Sequence, residues 1–133
     1  MDTRPGSRNM WGMSARTPEE AHALLVAAFN DGDPDALADV YEEEAALVVP
    51  PDGRQVSGLT AIQAALAPIF ALAPSARIDV VDKLETDGLA LTHTRWHMAV
   101  ADGTEMNGGA TVVTRRQADG SWRIVLDDPL SAR

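Results

Sequence analysis

No cysteine occurs in the 133 residues. That absence removes disulfides, thiolate metal sites and thiol nucleophiles together. Basic residues are scarce too: eleven Lys and Arg stand against twenty Asp and Glu, for a formal net charge of −9. A chain this acidic is repelled by phosphate backbones and anionic lipid surfaces, so neither nucleic acid nor a membrane is expected as a partner. The charge is unevenly placed. Arg4, Arg8 and Arg16 against Asp2 give residues 1–16 a balance of +2, and subtracting that from −9 leaves −11 on the rest. No apolar run is long enough to span a bilayer, and the opening MDTRPGSRNMWGM lacks the apolar stretch of a secretory leader. The expected address is the cytoplasm.

What is present reads as one globular domain. Apolar residues make up 45% and charged residues 23%, the balance of a chain that buries a core. Residues 1–16 carry Pro, Gly, Ser and Asn without periodicity and read as a flexible lead-in to a domain over 17–133. Trp11 in that lead-in reads as an exposed tail residue or as a side chain folded back on an apolar groove.

Thr17-Pro18-Glu19-Glu20 is a helix start, with Thr as cap, Pro at the first helical position and Glu20 closing a capping box. Ala21, Leu24, Leu25, Ala28 and Phe29 then repeat at helical spacing to about Asn30. Asp33-Pro34 starts a second helix whose apolar face is Leu37, Val40 and Tyr41, and Glu42–Glu44 read as its solvated end. Ala45–Val49 is a short strand, Gln55–Ser57 pairs back on it, and Leu59–Leu72 is a third helix interrupted by Pro68. Strands follow at Ile78–Glu85, Leu89–Val100, Glu105–Gln117 and Trp122–Asp127, separated by Asp-Gly pairs, which makes an antiparallel meander. Helices first and sheet afterwards is an α+β layout.

The strand LALTHTRWHMAV carries the most chemistry. Leu89, Leu91, His93, Arg95 and His97 share one face; Ala90, Thr92, Thr94, Trp96 and Met98 share the other. If the first face lines a cavity, Arg95 is a fixed cation for a carboxylate or enolate oxygen, and a His moves protons near neutral pH. If it is the outer face, the row is solvated or paired with acids. The H-x-x-x-H spacing of His93 and His97 is no metal site on a strand, where four residues span about 13 Å. Asn107 and Thr111 on the next strand are candidates to orient a ligand. Asp127, alternating with Val125, is the candidate carboxylate of the last strand. Ser57 and Ser75 have no nucleophile-elbow context.

The element order, together with FNDGDPDALADVY (29–41), GLTAI (58–62), the Asp-Gly-x-Ala lead at 87–90 and DGSWRIV (119–125), resembles the nuclear transport factor 2-like superfamily. Within it the likeness is to the SnoaL-like and ketosteroid-isomerase-like branch, nearest the small bacterial proteins of the SgcJ/EcaC type. The resemblance implies a cone: a strongly bent antiparallel sheet wrapped around a pocket, covered by three N-terminal helices, and a homodimer joined through the outer sheet face. Ketosteroid isomerases use a first-helix Tyr, an Asp base after the first strand and a protonated Asp on a later strand. Those places fall here on Leu25, Val49 and about Thr111, so that activity is not expected. Limonene epoxide hydrolases use an Asp–Arg–Asp set, of which Arg95 and His97 with Asp127 or Asp128 give a partial match. Threading on the isomerases puts His93, Arg95 and His97 on the cavity side.

The pocket expected from this has apolar walls from Leu25, Phe29, Tyr41, Val49, Ile69 and Phe70 and a polar patch from His93, Arg95, His97 and Asp127. Two functional classes follow. One is a cofactor-free isomerase, cyclase or hydrolase acting on a lipophilic or polyketide-like compound. The other is a non-catalytic ligand-binding or accessory domain. In both the partner is a small lipophilic or anionic organic ligand, with no metal and no cofactor.

Overall fold

The computed structural model describes residues 14–73 and 75–131. Trp11 and the rest of the lead-in before residue 14 lie outside the described residues. Residues 14–16, read as the end of that lead-in, are held by the domain: Ala15 is buried and its carbonyl accepts from the Trp122 N–H at 2.8 Å, while Arg16 Nη1 donates to the Asp119 carbonyl.

Helix α1 runs Pro18–Asp31. The Thr17 hydroxyl accepts from the Glu20 N–H at 3.1 Å, and Glu20 Oε1 accepts from the Arg16 N–H at 2.6 Å, so two otherwise orphaned donors are satisfied. Gly32 at φ 62° closes the helix in the left-handed region, where a Cβ is costly. Helix α2 is Leu59–Leu72, burying Ile62, Ala65, Leu66 and Phe70.

The second expected helix is shorter than its apolar pattern suggests. A 3-10 helix covers only Pro34–Asp39, and Tyr41 begins strand β1, Tyr41–Val49. Glu42–Glu44 are therefore strand residues and not a helix end. Tertiary pairing overrides the local pattern: the Val40 carbonyl accepts from the Ile124 N–H at 2.7 Å, drawing the chain onto the last strand. The Glu42 carboxylate is held by Arg115 at 2.9 and 3.2 Å and by Gln117 at 2.8 Å, and these partners keep it below the usual carboxylate range.

β2 (Arg54–Ser57), β3 (Ser75–Thr86), β4 (Leu89–Ala99), β5 (Glu105–Arg116) and β6 (Trp122–Asp128) complete one six-stranded sheet in the order β2-β1-β6-β5-β4-β3. β3 to β6 form the antiparallel meander that the Asp-Gly turns announce. β1 joins it parallel to β6, a pairing across eighty or more residues that no local signal carries. The sheet is curled and unclosed, with α1 packed on β3 and α2 on β1 and the core between. Among the described residues no helix is long and apolar enough to cross a membrane.

Thr114, fully buried on β5, has the one hydroxyl oxygen that is both shut off from solvent and without a hydrogen-bond partner among the described residues. An unmade buried hydrogen bond costs free energy that Val, of the same shape, does not. Thr114→Val is expected to stabilise the fold by about 1 kcal/mol, read as a higher urea midpoint at unchanged slope. A lower midpoint would show that the hydroxyl is satisfied in solution.

Candidate functional site

The concave face of the sheet and the two α-helices line a largely apolar pocket. α1 contributes His22, Leu25 and Phe29; α2 contributes Leu66 and Ile69. The sheet contributes Tyr41 and Leu47 from β1, Thr94, Trp96 and Met98 from β4, Ala110 and Val112 from β5, and Asp127 from β6.

That inventory reverses the face expected of β4. The inward row is Ala90, Thr92, Thr94, Trp96 and Met98; His93, Arg95 and His97 lie on the outer face. His93 Nδ1 sits 2.6 Å from Asp82 Oδ1 with 45% of its side chain exposed, and His97 Nε2 is 3.8 Å from Asp79 Oδ2 on the edge strand β3. Arg95 is exposed. The physical reason is desolvation: of the two faces only the uncharged one can be buried without partners, and the register settles there. β5 follows, because cross-strand partners share a face. Asn107 pairs with His97 and is exposed, and Thr111 pairs with His93 and bonds Ser131 Oγ at 2.7 Å. Neither orients anything in the pocket.

Of the expected apolar walls, Leu25, Phe29, Tyr41 and Ile69 line the pocket. Phe70 is buried behind Phe29, their ring centroids 4.3 Å apart, and Val49 is buried in the core; both lie outside the lining.

Asp127 is the expected polar residue that does point inward, and a bulge puts it there. On β6, Trp122 and Ile124 are buried, so strict alternation would bring Leu126 and Asp128 inside. Instead Thr114 pairs with Ile124 while the adjacent Val113 pairs with Leu126, leaving Val125 unmatched. The extra residue turns the strand by one position, exposing Leu126 and burying Asp127 to 7% exposure. There Oδ2 accepts a 2.6 Å hydrogen bond from the Tyr41 hydroxyl. Burial pushes the Asp127 carboxyl up to about 6, against the Tyr41 bond, which lowers it, and with Asp128, which raises it further. The Tyr41 phenol is in turn pushed well above its ordinary value by burial and by the neighbouring Asp127. No hydrogen bond from the described residues reaches the other carboxyl oxygen, Oδ1.

His22 was absent from the sequence-derived site, although its spacing to Leu25 and Phe29, three and seven residues on, places it on the same helical stripe. Its side chain is 3% exposed as a residue, and Nε2 lies 2.8 Å from Thr92 Oγ1. Thr92 Oγ1 is also within 3.3 Å of the Val112 carbonyl oxygen. Burial lowers this His to about 4, outweighing the opposite pull of Glu19, and it is neutral at pH 7.

Trp96 forms the rim. Its Nε1 donates to the Pro129 carbonyl at 2.8 Å, and its ring lies over Gly108, its partner on β5. Thr94 beside it offers a hydroxyl that makes no hydrogen bond to the described residues. Among those residues no group of three or more His, Asp or Glu could hold a metal ion. The chemistry available is proton transfer: one carboxyl poised near neutrality, a phenol that fixes it, and one free hydroxyl donor.

Comparison with known proteins agrees with this architecture. No curated protein matches the chain. Among solved structures, a putative calcium/calmodulin-dependent protein kinase type II association domain from Thiobacillus denitrificans aligns at 26% identity and TM-score 0.73, over 89% of this chain and 98% of that one. An NTF-2 like protein of unknown function from Shewanella oneidensis aligns at 18% identity and TM-score 0.69, covering 83% and 93%. A ketosteroid isomerase-like protein from Erwinia carotovora atroseptica gives 17% and 0.66, covering 83% and 89%. The last two establish the cone fold alone. Residues 22–125 match the SnoaL-like domain, which is most of the chain: this protein belongs to the SnoaL-like family of the NTF2-like superfamily.

Proposed function

We propose that this protein takes a small, largely apolar molecule into the cone and moves a proton on it with Asp127, without a cofactor, in the manner of an isomerase or cyclase. The observation that carries the reading is the placement of Asp127: buried at the pocket wall, one oxygen fixed by Tyr41, the other open. Ionised, it takes a proton from carbon beside a carbonyl; the Thr94 hydroxyl donates to the oxygen on which charge builds; the protonated Asp127 then returns the proton to a second position. Nothing is oxidised or reduced. Tyr41 is a positioning residue. Arg95, proposed from the sequence as an anion anchor, has no part in it.

Deuterium exchange of 2-tetralone in D2O, followed by proton NMR, tests this on an apolar ketone of suitable size. The wild type is expected to accelerate exchange, and Asp127→Asn to lose roughly a hundredfold or more of that rate. Tyr41→Phe keeps the carboxylate but removes the bond that lowers its pKa, so the pH–rate midpoint moves above about 6. Equal rates in wild type and Asp127→Asn would overturn the proposal. The second reading, a pocket that binds without catalysis, draws on Leu25 and Val49, which carry no acid where the isomerases have theirs. It predicts ligand retention in native mass spectrometry with no exchange above buffer. A homodimer belongs to either reading, since Leu89 and Leu126 leave apolar surface on the convex face.

A further inference from the structure

The pocket holds a carboxyl group and nothing positive to answer it. None of the residues lining it is Lys or Arg, and Arg95 points away. We propose that the molecule this pocket is shaped for is a lipophilic amine, its ammonium seated on the open oxygen of Asp127 and its hydrocarbon body against the apolar walls. This rests on the second reading of the cone, a pocket that binds a small molecule without catalysis, and specifies what that molecule carries: an ammonium on Oδ1 takes the oxygen that proton abstraction would use.

A buried carboxylate needs a counter-charge or several donors, and the chain provides one donor, Tyr41, on one oxygen. Asp127 is 7% exposed, and Oδ1 opens only to the pocket. An ammonium on Oδ1 completes the pair. A ligand carboxylate at the same place meets a like charge, on a chain whose net charge is already −9. Phe29, Tyr41 and Trp96 line the same space, and an aromatic lining favours a cation over an anion. The titratable groups that face Asp127 are Tyr41 on β1, Asp128 beside it on β6 and His22 across the pocket on α1. α2, β3, β4 and β5 contribute no charged side chain to the lining. His22, kept neutral by burial, does not compete as the internal cation.

Three probes of one shape separate charge from fit: 2-naphthylmethylamine, 2-naphthylmethanol and 2-naphthoate, titrated calorimetrically at pH 8 and pH 5. At pH 8 the amine is expected to bind about tenfold tighter than the alcohol, with naphthoate weakest. At pH 5, where Asp127 is protonated, the amine advantage shrinks to near unity. Asp127→Asn removes the advantage at pH 8 and leaves alcohol affinity in place; Tyr41→Phe keeps it. Should the Asn variant fail to fold, the wild-type comparison between the two pH values still decides. Alcohol and amine binding equally at pH 8 would overturn the amine proposal while leaving the pocket reading intact. Binding of none of the three would overturn both.

Discussion

Asp127→Asn is expected to make folding stability climb steeply between pH 4 and 6.5, whereas His22→Gln makes it fall over the same interval. In the wild type the two effects oppose each other. Asp127 goes from about 3.9 in the unfolded chain to about 6 when folded, so between those values the native state binds the extra proton. Its contribution is fully present below pH 4 and is lost as pH rises through 6, a change of about 3 kcal/mol. His22 is the mirror case. It falls from about 6.5 to about 4 on folding, so the unfolded chain binds the extra proton, and stability is lost as pH falls through that window, again by about 3 kcal/mol. Removing one group exposes the slope of the other. Carboxylates held low by partners, Glu19 by Lys83 and Glu42 by Arg115, add their slope only at the acid end and do so in every variant. Urea unfolding at half-unit pH steps reads the difference. Curves for wild type and Asp127→Asn that run parallel from pH 4 to 6.5 would show that Asp127 titrates as if exposed.

Gly108→Ala should be a damaging single-methyl change in the sheet. A Cβ at 108 would lie 2.6 Å from Trp96 Cζ2, 2.9 Å from Cε2 and 3.1 Å from Nε1. Those atoms belong to a rigid indole whose nitrogen is tied to the Pro129 carbonyl, so the ring cannot yield without breaking that bond. Pro129 lines the pocket, and the displacement therefore reaches the site. A loss of about 2 kcal/mol is expected, with a red shift of Trp emission as the ring leaves its seat. Pairing the change with Trp96→Phe, a smaller ring with no N–H to anchor, should recover part of the loss. A Gly108→Ala protein of wild-type stability would mean that β4 and β5 separate there at little cost.

How much of this was legible beforehand differs by link in the chain. Thr17-Pro18 capped a helix and three Asp-Gly pairs cut a meander, because capping and left-handed turns are settled by a few neighbouring residues. Helical spacing put Leu25, Phe29 and Ile69 on apolar helix faces and the family resemblance made them pocket wall; His22 lies on the same stripe as Leu25 and Phe29. The face of β4 was not. Leu89 and Leu91 share a face with His93, Arg95 and His97, while Ala90, Thr92 and Thr94 share one with Trp96 and Met98, so neither row is cleanly apolar. With so little contrast, register depends on what packs above the strand, and a one-residue slip exchanges the rows.

Local sequence determined α1, α2, the hairpins and the acidic character, since propensity, capping and turn chemistry act over a few residues. The tertiary structure alone decided how Asp127 meets Tyr41 at the pocket wall. The parallel pairing of β1 with β6 and the unmatched Val125 bring Tyr41 and Asp127, 86 residues apart, to 2.6 Å. The shift of Asp127 toward neutrality then comes from burial, a property of the assembled pocket that no residue carries by itself.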